Sequence, residues 1–232
     1  MRVLVTGAAR GLGLEIVREA IKRGHNIAAV VRPESDISVL NAIAQENPQS
    51  LDIHKTDITS IEQVAESVSK MTEKWGALDG LINNAAILIG RYDSIDELNL
   101  EDVRRSFEVN VIGNMNIVQQ CLPLLYKGEK PVVINVSSEA GTIVNAFPIN
   151  YPYAISKTAV NMFTERLRTH FEDKDILAWA VHPGWMRTAM GGDTAPVDPA
   201  VTAWGFWEIM ERKTVITSKI SFIDATGRPM PL

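Results

Sequence analysis

The sequence predicts an α/β fold: one doubly wound parallel sheet with helices on both faces. Three observations lead there. Apolar runs recur at residues 3–5, 27–31, 51–54, 78–82, 132–136, 176–181 and 220–223. Most lack polar alternation, as expected of strands buried on both faces of a parallel sheet. Longer amphipathic segments separate them, at about 11–24, 35–47, 59–75, 100–127, 153–172 and 198–212. Repeated strand–helix units of this size close into a sheet by right-handed crossovers.

The elements follow in order. The first apolar run passes through a glycine-rich turn into the first helix, which Gly24 closes. Asp57-Ile58-Thr59 precedes the third helix, and Asp198-Pro199 opens the last, both good helix starts. The richest Pro/Gly stretch, residues 183–199, lies late in the chain and is too short to be a linker. We therefore expect a single domain over residues 1–232, with about seven strands. A domain of 232 residues buries roughly 70% of its unfolded surface, enough for a core without disulfides.

Composition excludes several classes. The net charge of −5 lacks the basic footprint of a nucleic-acid binder. One cysteine, Cys121, allows no internal disulfide and no cysteine-rich metal site. His25, His54, His170 and His182 have no ligand spacing, so no metal is expected. No stretch approaches the roughly 20 apolar residues that span a bilayer. No G-x-S-x-G elbow surrounds Ser137 or Ser138, which argues against a serine hydrolase. A soluble, cytoplasmic protein is expected.

Two patterns carry chemistry. The first is Thr6-Gly7-Ala8-Ala9-Arg10-Gly11-Leu12-Gly13, between a strand and a helix. Glycines let the backbone approach a pyrophosphate, and the helix N-terminus offers free N–H groups. The end of the second strand carries Arg32 where an acid would favour NAD, and Arg10 adds a cation in the loop. Two guanidiniums suit the 2′-phosphate of NADP. The alternative for both is a solvated surface arginine.

The second pattern is Tyr153-x-x-x-Lys157, a phenol and an ammonium on one helix face. A similar pair, Tyr126 and Lys130, precedes a strand and so belongs to the opposite, N-terminal edge of the sheet. Hydride delivery to a carbonyl builds charge on oxygen and calls for a proton. An ammonium that lowers the phenol's pKa lets Tyr153 give one. Ser137-Ser138 ends the preceding strand, and either hydroxyl is placed to bind the substrate oxygen.

These residues resemble the short-chain dehydrogenase/reductase family over essentially the whole chain. The motifs stand in the family's order: Thr6-Gly7-x-x-x-Gly11-x-Gly13, Asp57-Ile58, Asn83-Asn84-Ala85-Ala86, Asn110, Ser137-Ser138, Tyr153-x-x-Ser156-Lys157 and Pro183-Gly184-x-x-x-Thr188. The resemblance implies a single Rossmann-like domain of seven parallel strands. It implies Tyr153 as acid/base, Lys157 lowering its pKa and binding the nicotinamide ribose, and Ser138 polarising the carbonyl. Asn110, within the long fourth helix, would hold a relay water. Gly7, Arg10, Gly11, Leu12, Gly13 and Arg32 would hold NADP(H). Asp57 and Ile58 would meet adenine, Asn84 and Ala85 would line the cleft, and Pro183, Gly184 and Thr188 would meet the nicotinamide. The motif usually ends Asn-Ala-Gly where this chain has Ala86, and Ser138 precedes Tyr153 by 15 residues, two more than is common.

Finer features resemble the carbonyl reductase branch that includes C-factor and sniffer. They include His182-Pro183-Gly184-Trp185 and the ending Asp224-Ala225-Thr226-Gly227. An NADPH-dependent oxidoreductase acting on a small apolar carbonyl or alcohol is expected, as a homodimer or homotetramer through the fourth and fifth helices. The alternative is an NADP-binding sensor with incidental turnover. Residues 184–199, with Trp185, Met186 and Met190, read as a mobile lid or as an ordinary surface loop. Phe147, Tyr151 and Tyr92 are candidate pocket walls, and Trp204, Phe206 and Trp207 are candidates for core, interface or substrate contact.

Overall fold

The computed structural model describes all residues, Met1–Leu232. Seven strands form one sheet: β1 (Arg2–Thr6), β2 (Asn26–Val31), β3 (Leu51–Lys55), β4 (Gly80–Asn83), β5 (Val132–Val136), β6 (Leu177–His182) and β7 (Phe222–Asp224). Their order is β3-β2-β1-β4-β5-β6-β7, and every named pairing is parallel. The helices are α1 (Gly11–Lys22), α2 (Ser38–Glu46), α3 (Ile61–Trp75), α4 (Leu100–Phe107), α5 (Asn114–Leu125), α6 (Tyr151–His170) and α7 (Pro199–Met210).

Two apolar cores cover the sheet. One packs α1, α2 and α7 around Val5, Ile16, Phe206 and Trp207. The other packs α3, α5 and α6 around Leu81, Ile117, Cys121 and Leu167. Phe206 and Trp207 are thus core residues, while Trp204 remains 55% exposed. The inner strands β1, β2, β4 and β5 are buried on both faces and mostly apolar, whereas the edge strand β3 carries Asp52, His54 and Lys55. No helix is long and apolar enough to cross a membrane.

The expected helix over 100–127 is broken. Residues Glu108–Gly113 form a π-helical turn between α4 and α5. Such a turn accommodates one extra residue and often marks a functional position. Here it carries Asn110, fully buried, toward the loop after β4. Periodicity alone does not reveal the change of pitch. The start of α3 also differs: Ser60 accepts from the Gln63 amide as its cap, and Asp57 serves the turn before it.

The edge of the sheet opposite the cleft is tied by Asp79. Its carboxylate accepts Arg2 Nη2 at 2.6 Å, Arg2 Nε at 3.0 Å, and the amides of Arg2 and Glu129 at 2.8 and 2.9 Å. Burial by itself would raise this carboxyl. The Arg2 hydrogen bond, then the two amides, outweigh it and hold the group below the usual carboxylate range. A depressed folded pKa means the stabilisation is complete above the unfolded value and is lost as pH falls through the folded one. Asp79→Ala should cost about 2–3 kcal/mol at pH 7, under the figure for a fully buried pair because Arg2 is partly exposed. Urea unfolding should show the gap to wild type closing below about pH 3.9.

Candidate active site

Most of the sequence-predicted residues converge on the C-terminal edge of the sheet. A cleft of about 1380 Å³ runs along it, from the end of β2 past the glycine turn to the loops after β5 and β6. Parallel strands put all their following loops on this side, and ligands bind where the strand order reverses. That reversal lies between β1 and β4.

The glycine turn forms one bank. Gly7 has φ of +66°, and a Cβ there would lie 2.9 Å from the Ala85 Cα. A Cβ on Gly13 would lie 2.6 Å from Asn84 Nδ2. The turn therefore accepts only glycine at both points. Asn84 pins the bank: its side-chain amide donates to the carbonyls of Thr6 and Gly7 at 3.0 and 3.1 Å. Thr6 Oγ1 in turn accepts the amides of Asn84 and Ala85, each at 3.0 Å. α1 starts at Gly11 with no side-chain cap and no acid in its first turn. Its first N–H groups are left to an anion, the arrangement a pyrophosphate requires.

Gly7, Arg10, Gly11 and Leu12 line the cleft, whereas Gly13 lies beneath the turn and acts through packing. At the far end Arg32, Asp57 and Ile58 line it. Arg10 and Arg32 are both exposed, and Arg32 Nε stands 3.3 Å from Glu34 Oε1. An arriving phosphate has to compete with that surface pair. Asp57 Oδ1 accepts from the amide and hydroxyl of Thr59 at 3.0 and 2.8 Å, which shapes the turn below the groove.

The opposite end holds the phenol and the ammonium. Tyr153 lies in the first turn of α6, and Lys157 follows one turn later with its Nζ 5.4 Å from the Tyr153 ring centroid. Lys157 is 1% exposed, and its Nζ donates to the Val136 carbonyl at 2.7 Å. Burial pushes this ammonium down to about 8. Burial also pushes the Tyr153 phenol up to about 12, while the Ser138 hydroxyl and the Arg91 charge pull it the other way. The phenol therefore stands above its ordinary value, the reverse of the direction expected from its pairing with Lys157. Desolvation dominates both groups, and the ammonium is engaged by a backbone carbonyl.

The two serines have separate surroundings. Ser137 is 1% exposed and its hydroxyl donates to Asn161 Oδ1 at 2.5 Å. Ser138 is more open, and its Oγ accepts the Ala140 amide at 3.1 Å beside Tyr153. Asn110 does not line the cleft. Its Oδ1 accepts the Ile87 amide at 2.8 Å, and its Nδ2 donates to the Ile87 carbonyl and Ser156 Oγ, both at 3.0 Å. It thereby fixes the loop after β4 to α6.

Pro183, Gly184 and Thr188 line the cleft, with Trp185, Met186, Met190 and Phe147. Tyr92 and Tyr151 stand outside its lining. Sequence reasoning did not single out Arg91, Glu139 or Arg105; all three line the cleft. None belongs to a recognisable pattern, so only the folded chain brings them here. Tyr126, of the second Tyr/Lys pair, bonds His170 Nε2 at 3.0 Å and is not part of the cleft.

A family model described as short chain dehydrogenase matches residues 1–197. A crystal structure of NADPH-bound carbonyl reductase from chicken fatty liver is 28% identical, with a TM-score of 0.88 over 100% of this chain and 98% of that one. The carbonyl reductase Sniffer of D. melanogaster shares the fold, with a TM-score of 0.92 at 24% identity over 100% of this chain and 99% of that one. An NADPH-dependent pterin aldehyde reductase of Arabidopsis thaliana is 27% identical over 87% of this chain and 83% of its own length.

Replacing Asn84 by alanine removes two bonds to carbonyls and leaves the glycine turn unpinned. The variant should lose about 1–3 kcal/mol of stability in chemical denaturation. An unchanged midpoint would show that the turn holds its shape without this side chain.

Proposed function

We propose that this chain, which belongs to the short-chain dehydrogenase family, transfers a hydride between NADP(H) and a small carbonyl or alcohol, with Tyr153 as acid/base. The observation that carries the reading is a buried phenol and a buried ammonium, one helical turn apart, at the end of a glycine-lined cleft. A dinucleotide fits the residues present: an uncapped helix start, a turn closed to any Cβ, and a groove reaching to Arg10 and Arg32. NADP(H) is favoured over NAD(H) because the end of β2 carries Arg32 and no carboxylate before Glu34. The NADPH bound by the chicken reductase, and the cofactor named for the plant relative, support the same choice.

The cofactor, when bound, supplies or accepts the hydride. The chain's residues handle the proton and the charge. In the reductive direction Tyr153 Oη releases its proton to the substrate oxygen as negative charge builds there. Ser138 Oγ is the hydroxyl placed to donate to that oxygen, since Ser137 is committed to Asn161. Lys157 stabilises the phenolate left behind, and burial of both groups strengthens that attraction. Asn110 keeps the loop after β4 in place behind them. The cleft walls include Met186, Met190, Trp185 and Phe147, which suits an apolar substrate. Ile112, Met115, Ile155 and Met162 stay exposed along α5, α6 and the turn between α4 and α5, and support a homo-oligomer through that face.

Tyr153→Phe should reduce turnover by about 10²-fold or more while NADPH binding, followed by fluorescence, survives. Persisting activity would remove Tyr153 from the acid's role. Ser138→Ala should lower kcat with little change in melting temperature, and Ser137→Ala should do the reverse.

The Lys157 ammonium, lowered to about 8, sets a pH limit. Its charge is present below that value and lost above it, so carbonyl reduction should fall as pH rises through about 8. A pH profile of kcat/KM measures this, and a flat profile to pH 10 would exclude a role for the charge.

A further inference from the structure

We propose that Arg91 is a positioning residue that holds the loop after β6 over the cleft, by donating a guanidinium N–H across it to the Met190 carbonyl. The inference rests on the reading of this cleft as a carbonyl site and adds a residue outside the motifs that define it.

The loop from Pro183 to Asp198 is a unit cross-linked within itself. Trp185 Nε1 donates to the Gly191 carbonyl at 2.7 Å. The Gly191 amide donates to Thr188 Oγ1 at 3.1 Å, and the Gly192 amide to the Thr188 carbonyl at 2.8 Å. At its base the Arg187 amide donates to the Val197 carbonyl at 2.9 Å, and Val197 returns a bond to Trp185 at 3.1 Å. The Arg187 side chain closes the same base through the Pro196 carbonyl at 2.9 Å. Thr202 of α7 anchors the start of the loop through the Pro183 carbonyl at 2.9 Å.

These bonds shape the loop but leave its tip free of the opposite bank. The tip carries apolar side chains that remain open: Trp185 is 53% exposed and Met190 38%. Arg91 supplies the loop's one hydrogen bond across the cleft, spanning 99 positions of sequence. Arg91 makes no ion pair, so no carboxylate draws it away. Its guanidinium also lies 6.0 Å from the Tyr92 ring centroid. A bond from a charged donor to a backbone carbonyl is among the stronger neutral-acceptor bonds. Held this way, Met190 and Trp185 roof the end of the cleft where Tyr153 lies. Without it, the tip is tethered only at its base.

The test has two readouts. Backbone hydrogen exchange of residues 185–192 is measured by mass spectrometry in the wild-type chain and in Arg91→Met, Arg91→Gln and Arg91→Lys. Steady-state reduction of an apolar aldehyde with NADPH is measured on the same proteins. Exchange in the tip should rise by about 5-fold or more in the Met and Gln variants, with the sheet unchanged, and Lys should restore much of the protection. KM for the aldehyde should rise by a similar factor in the Met and Gln variants, beyond any fall in kcat from removing the charge that Arg91 presents to Tyr153, and Lys should return both toward wild type. Unchanged exchange in both the Met and Gln variants overturns the proposal. So does a loss confined to kcat, which indicates a fault in the chemistry or in the fraction folded. If no carbonyl is reduced by the wild type, the functional reading fails, and the exchange result still judges the latch.

Discussion

The cleft depends on how β1 and β4 part at their C-terminal ends. The two strands are paired through Val3, Leu4 and Val5, then leave the sheet in different directions. β1 turns through its glycines into α1 on one face, and β4 runs toward the π turn and α5 on the other. Thr6 and Asn84 bridge the gap at its floor with four hydrogen bonds. A buried gap between strands would otherwise leave carbonyls unpaired, at a cost of about 1–3 kcal/mol each. The Asn84 amide settles two of them and leaves the helix start of α1 facing the groove. The glycine turn, the anion position and the line of the cleft all follow from that junction.

Desolvation is the second constraint, and it acts on the chemistry. Lys157 is among the largest fully buried side chains in the molecule, alongside Trp207 and Phe171. A buried ammonium with one carbonyl partner gives up its proton more readily than a solvated one, hence its value of about 8. Tyr153 is raised to about 12 by the same burial. The two groups are therefore poised against their own charges. Each gains when negative charge appears on the phenol and positive charge remains on the lysine.

Buried polar side chains do the fastening elsewhere. Asn110 engages both the amide and the carbonyl of Ile87, Asn116 holds the Ile58 carbonyl at 2.9 Å, and Asn135 links Asn83 to Thr164. In a parallel sheet the loops at the ligand edge have no ladder to stabilise them. Short amides that bond loop backbone at fixed reach take over that task. This explains why asparagines are so frequent in the motifs from Asn83 to Asn116, and why their first duty here is architectural.

The sequence by itself determined the class and order of the elements. Its apolar runs fall on the seven strands, because strands covered on both faces are rich in apolar residues. It also placed the glycine turn and the Tyr153/Lys157 pair at one edge, since both follow strands in a parallel sheet. Local pattern did not extend to the break at Glu108–Gly113, where one extra residue per turn is decided by what Asn110 reaches in α6 and the β4 loop. It left Ser137 and Ser138 unresolved, because adjacent residues at a strand end face opposite ways and only the packing of Asn161 distinguishes them. Arg91, Glu139 and Arg105 at the cleft had no signature, being isolated charges on loops and a helix. The pKa values of Tyr153 and Lys157 belong wholly to the tertiary structure. Burial, which no spacing encodes, outweighs the attraction that their four-residue separation suggests.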